Sequence, residues 1–154
     1  MENIQHITSF TVDHDTLTPG IYVSRVDGDV VTYDLRTRTP NGGEYMDTRT
    51  AHSVEHMFAT YVRNSAIADR VIYFGPMGCR TGFYLLVRDV PQAEVLAVVK
   101  ETLQKILAHE GAVFGASKKE CGNYQDLDLD DAKKECAAYL AVLNQKEEWS
   151  FRYE

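Results

Sequence analysis

The chain of 154 residues has no uninterrupted apolar stretch of membrane-spanning length, only three cysteines, four dispersed prolines and no surplus of positive charge. Each shortage removes a class of protein. A bilayer span needs about 20 apolar residues in a row, so no transmembrane helix is expected. A formal net charge of −7 leaves no room for the basic patch that a nucleic-acid backbone or an anionic membrane demands. Cys79, Cys121 and Cys136 are an odd number, and residues 1–6 lack the basic and apolar regions of an export signal. The expectation is a cytoplasmic protein without a disulfide framework, whose thiols serve metal ligation or catalysis. With no repeat, low-complexity segment or linker to mark a boundary, residues 1–154 read as a single domain with a small-molecule partner.

What the chain does contain is Thr50-Ala51-His52-Ser53-Val54-Glu55-His56-Met57-Phe58. In a helix His52 and His56 stand one turn apart on one face, so both imidazoles can reach one cation. Glu55 is offset and fits better as a base beside a metal than as a third ligand. The H-x-x-E-H order is one of the known metal-hydrolase patterns. Thr48 is the expected N-cap of a helix over residues 48–66. Its core stripe is Val54, Met57, Phe58, Tyr61 and Val62. The two histidines lie almost opposite that stripe, so another part of the chain or a second subunit must cover them.

Upstream, Ser9-Phe10-Thr11-Val12-Asp13-His14 alternates as a short strand would. Residues 21–25 and 30–39 read as strands joined at Asp27-Gly28-Asp29, with Arg36 on the polar face of the second. A strand over 70–74 enters Gly75-Pro76-Met77-Gly78-Cys79-Arg80-Thr81-Gly82 and leaves as a strand over 83–87. That loop lets backbone approach a ligand and puts Cys79 beside a cation, Arg80, although a small thiol in a tight hairpin explains it equally. Pro91 opens an amphipathic helix to about residue 109. Cys121 lies in a polar loop accessible to a metal, and a last helix over 130–146 carries Cys136 as packing. Hairpins mixed with long helices give an α+β fold, an antiparallel sheet with helices packed on one face.

Together, Thr50 to Phe58, the Gly-Pro-Met-Gly-Cys loop, Cys121-Gly122-Asn123-Tyr124 and Ser9 to His14 resemble the S-ribosylhomocysteine lyase, or LuxS, family in order and spacing across essentially the whole chain. The resemblance implies His52, His56 and Cys121 as ligands of one divalent ion per subunit, Fe(II) in the active form with Zn or Co as alternatives. It implies Glu55 and Cys79 as the acid/base pair, and Ser9, His14 and Arg36 as substrate-binding residues. It also implies a homodimer with active sites at the interface. The implied reaction takes S-ribosylhomocysteine to homocysteine and 4,5-dihydroxypentane-2,3-dione, the precursor of autoinducer-2. The chain departs from the family pattern at Tyr73-Phe74-Gly75, where Asp-x-Ser often stands. Two other readings compete. An inverted-motif metallopeptidase would use Glu55 to activate water but has no need of Cys79. A structural metal domain would fit best with four closed protein ligands rather than three and a free carboxylate.

Overall fold

The computed structural model describes residues 4–153. Strand β1 (Gly20–Asp27) turns at Gly28, whose φ of +62° suits the first central position of a two-residue hairpin, into β2 (Val30–Arg36). Helix α1 (Thr48–Val62) follows, then β3 (Val71–Pro76), β4 (Gly82–Arg88), α2 (Gln92–Ala108) and α3 (Leu129–Leu143). All neighbouring strands are antiparallel, in the order β1-β2-β4-β3. The expected α+β architecture is what the chain adopts.

Alternation decides the two faces of the sheet. Tyr33, Leu35, Phe83, Leu85 and Val87 point into one core with Val54, Met57, Phe58 and Val62 of α1. Phe58 stacks on Phe74 with ring centroids 4.3 Å apart, and Phe74 on Phe83 at 5.2 Å. These three rings fasten α1 to β3 and β4. Val95, Val99, Leu103 and Ile106 of α2, with Ala132, Cys136, Tyr139 and Leu143 of α3, complete the helical layer. The opposite face carries the half-buried Tyr84 and Leu86 and the exposed Tyr73.

Several expectations move. The cap of α1 is Asp47, whose carboxylate accepts from Thr50 N at 2.7 Å, and the helix stops at Val62 rather than residue 66. Residues 8–10 form a 3-10 turn and not a strand. There Thr11 Oγ1 donates to Thr8 O at 2.7 Å, and Asp15 N to Asp13 Oδ1 at 2.9 Å. Local side-chain bonds of this kind compete with a strand ladder. Strand β2 ends at Arg36 and not at residue 39, because Thr37 N and Arg38 N both donate to Thr81 O and turn the chain away. Arg36 itself is only 3% exposed.

Candidate functional site

Helical spacing and one loop build the first cluster. His52 and His56, one turn apart on α1, present rings whose centroids are 4.7 Å apart. The segment after α2 folds back over them. His56 Nδ1 donates to Phe114 O at 2.7 Å, and His52 Nδ1 donates to Asp126 Oδ2 at 3.1 Å. A carbonyl and a carboxylate only accept, so each ring carries a hydrogen on Nδ1, the tautomer whose Nε2 offers its lone pair to a cation. Gly115 makes this approach feasible: its φ is +68°, and a Cβ there would stand 3.1 Å from His56 Nδ1. Part of the cover over the histidines is therefore the chain's own loop.

The same loop delivers Cys121, whose Sγ lies 3.4 Å from His52 Nε2 and accepts Asn123 N–H at 3.4 Å. Ligand atoms of His52, His56 and Cys121 all lie within 4.8 Å of one another. Sulfur at about 2.3 Å and nitrogen at about 2.0 Å from a tetrahedral ion would be about 3.5 Å apart. The donor set thus fits one divalent ion, with two neutral imidazoles, one soft sulfur and a position left for another ligand. Glu55, half-buried, lines an adjoining cleft with His56, Thr60, Phe114, Gly115 and Glu120.

Strand register builds the second cluster. Cys79 sits in the loop between β3 and β4, held by Arg80 N to Met77 O at 3.0 Å and Met77 N to Gly82 O at 2.9 Å. Pairing of Arg36 with Gly82 across β2 and β4 brings the guanidinium under that loop. Arg36 Nη1 is 3.8 Å from Cys79 Sγ and donates to Thr81 Oγ1 at 2.8 Å, and Thr81 Oγ1 is 3.1 Å from the same sulfur. The cation at the thiol is therefore Arg36, not the Arg80 expected from adjacency. Arg36 Nε and Nη2 grip Asp34 at 3.1 and 2.6 Å. Burial works against the guanidinium's charge, but Asp34 outweighs it and holds Arg36 above its ordinary range. Tyr153 Oη donates to Asp34 Oδ2 at 2.7 Å, and its ring stacks on Tyr22.

The structure joins His52, His56 and Cys121, and separately joins Cys79 and Arg36. Among the described residues, the side-chain hydrogen bonds of the first group run to α1 and the loop beyond α2, and those of the second to β2 and the Cys79 loop. His14 is half-buried on the N-terminal segment with Nδ1 donating to Val12 O at 2.8 Å. Ser9 lies on the 3-10 turn Thr8–Phe10, and its side chain is outside the described residues. Sequence reasoning missed Asp126, Phe114, Asp34, Thr81 and Tyr153. Asp34 had a signal, two residues from Arg36 and so on its face of β2, whereas Thr81 lies with Cys79 in the turn before β4, where no strand period applies.

Residues 7–150 match the profile of the S-ribosylhomocysteinase (LuxS) family. The S-ribosylhomocysteine lyase of Borreliella burgdorferi strain ZS7 is 42% identical over 156 aligned positions, 97% of this chain and 99% of that one. The protein of the same name from Finegoldia magna is 48% identical over 143, covering 90% and 91%, and that of Clostridium acetobutylicum 42% over 156, covering 97% and 99%. A match of this extent, over a chain that assembles a His-His-Cys donor set on one helix and one loop, means that the chain belongs to the S-ribosylhomocysteinase (LuxS) family.

Proposed function

We infer that this chain is an S-ribosylhomocysteine lyase in which His52, His56 and Cys121 hold one divalent ion, Fe(II) in the working enzyme with Zn or Co as substitutes. The observation that carries the reading is the pairing of that donor set with a second, differently built thiol at Cys79. A divalent ion supplies Lewis-acid stabilisation of negative charge developing on substrate oxygens. The protein's own groups do the rest. Hydrogens on carbon beside a carbonyl are weakly acidic, so moving the ribose carbonyl from C1 to C2 to C3 needs groups that take a proton from one carbon and return it to the next. Glu55, half-buried beside His56, and Cys79, flanked by two donors, are assigned that work. Removal of the C4 proton then expels the C5 thioether by β-elimination, giving homocysteine and 4,5-dihydroxypentane-2,3-dione without net oxidation.

Arg36, Ser9 and His14 are assigned to the substrate side. Arg36 supports this by its place behind the exposed Cys79 sulfur, where its charge lies within reach of sugar oxygens docked on that sulfur. The separation of the two clusters supports a homodimer in which each active site takes groups from both chains. So do Ile4, Ile7 and Phe10, at 80, 59 and 70% exposure, and Ile72 and Tyr73 on the edge strand β3, at 41 and 50%.

Anaerobically loaded Cys79→Ala is expected to keep its metal and fold and lose homocysteine release; release at the parental rate would remove Cys79 from the mechanism. Glu55→Gln is expected to behave alike, and loss of its metal would mark Glu55 as a ligand instead. Coexpressed Cys79→Ala and His56→Ala chains, each inactive alone, should regain activity as mixed dimers. A mixture as dead as its parents would refute shared sites.

A further inference from the structure

The sulfur of Cys79 is the exposed end of a buried polar file. Asp34, Arg36 and Thr81 are 0, 3 and 2% exposed, and Tyr153 closes the far end from the last residues of the chain. The ends fix the direction of the hydrogen bonds that Asp34 and Arg36 make. An ionised carboxylate only accepts and a guanidinium only donates, so Arg36 Nε and Nη2 give hydrogens to Asp34 and Nη1 gives one to Thr81 Oγ1. Tyr153 is held neutral, since burial and then the Asp34 charge push its ionisation far up, so its phenol donates to Asp34. Thr81 Oγ1 accepts from Arg36, which leaves its own single hydrogen free to be given to the Cys79 sulfur, 3.1 Å from the oxygen. Arg36 Nη1 reaches the same sulfur at 3.8 Å.

Two donors converging on sulfur favour an acceptor there, which is the thiolate and not the thiol. We propose that Thr81 is a positioning residue that holds Cys79 as a thiolate by aiming its hydroxyl hydrogen at the sulfur, and that Tyr153 fixes this aim from the C-terminal segment through Asp34 and Arg36. The inference rests on Cys79 being a proton carrier and adds what sets its charge. Among the described residues, the charged group facing the sulfur is Arg36 of β2, with Asp34 and then Tyr153 behind it. Arg80 is exposed, and its carbonyl is engaged by Met46 N.

The test uses the full-length, metal-loaded protein without substrate. Iodoacetamide modification is followed at Cys79 by peptide mapping across pH, so Cys121 and Cys136 do not enter the rate. Thr81→Val is expected to move the Cys79 alkylation profile about one pH unit toward alkali, a roughly tenfold slower rate on the acid limb where the thiol is mostly protonated, with the gap closing in alkali where every thiol is ionised. Metal content stays at the wild-type level. Thr81→Ser, which keeps the hydroxyl, restores the wild-type profile, and Tyr153→Phe moves it in the same direction as Thr81→Val by less. A Thr81→Val profile equal to wild type overturns the proposal, and so does a Thr81→Ser profile as slow as Thr81→Val, because shape and not the hydroxyl would then be the cause. Tyr153→Phe leaves Thr81 in place and reports even if Thr81→Val fails to fold; an unshifted profile overturns the role given to the tail. Alkylation needs no turnover, so its failure is distinct from failure of the lyase reading, which Cys79→Ala tests.

Discussion

The histidine cluster and the Cys79 cluster are surrounded by partners of opposite polarity. Behind His52 and His56 stand acceptors, the Asp126 carboxylate and the Phe114 carbonyl. Around Cys79 stand groups with hydrogens to give, the Arg36 guanidinium and the Thr81 hydroxyl. Acceptors behind a ring push electron density toward the nitrogen that faces a cation, whereas donors around a sulfur favour its negative form. The first surroundings are built to hold a positive charge and the second to hold a negative one. Cysteine shows how far surroundings decide. Cys121 lies beside an imidazole and an amide N–H, while Cys79 lies beside a guanidinium. Cys136, 1% exposed on α3, has its thiol pushed up to about 12, first by burial and then by Glu135, and serves as packing.

The largest expected effect comes from breaking the charge pair under Cys79. Arg36→Met leaves Asp34, fully buried, with Tyr153 as its remaining side-chain partner. Removing one member of a buried ion pair costs about 3–5 kcal/mol, read as a fall in the urea midpoint. Adding Asp34→Asn should recover part of the loss, since no uncompensated charge then remains. Metal content of the folded fraction should be unchanged, because among the described residues no hydrogen bond ties Arg36 to the histidines. If Arg36→Met empties the metal site, the two regions are not independent.

A smaller effect is expected on the other side. Asp126→Asn keeps an acceptor but removes the charge behind His52, and loss of such an outer partner weakens metal binding about 10- to 100-fold. Competition against a chelator measures this directly, with Cys79 alkylation as the control that should not move. Unaltered affinity would mean that Asp126 does not orient the ring.

These two regions were not equally legible. His52, Glu55 and His56 could be read because helical periodicity is local: four residues equal one turn, and the positions follow from the order of letters. Cys121 could be placed with them through the family resemblance, since loop closure over the 69 residues that separate it from His52 leaves no periodic trace. The Cys79 file was largely hidden. It depends on Arg36 pairing with Gly82, a register that the turn at Thr37 and Arg38 imposes from across the sheet. Tyr153 reaches Asp34 across 119 residues. Adjacency favoured Arg80 as the cation, but Arg80 adopts φ +61°, and the positive charge at the sulfur comes from the neighbouring strand. The departure at Tyr73-Phe74-Gly75 also gains a physical reading. A Cβ at position 75 would overlap the Tyr73 phenol, so the tyrosine and the glycine fit together as a unit.

The smallest effect is expected where the two regions meet. Met46 N donates to Arg80 O at 3.0 Å, tying the Cys79 loop to the segment that enters α1, and the next residue, Asp47, caps the helix that carries both histidines. The Thr50 N–H, bonded to the carboxylate at 2.7 Å, holds Asp47 below its ordinary value of 3.8. A carboxyl lowered on folding stabilises the native state above that unfolded value, and the contribution is lost as pH falls through the lower folded one. Asp47 is exposed, so solvent screening keeps the contribution small. Asp47→Ala should therefore cost about 1 kcal/mol at neutral pH and progressively less in acid. Asp47→Asn, which retains the oxygen without the charge, should match wild type at neutral pH and lack the acid dependence. Paired urea titrations at pH 7 and well below 3.8 distinguish these outcomes, and an Asp47→Ala penalty that is the same at both would show that the cap acts through shape and not through its charge.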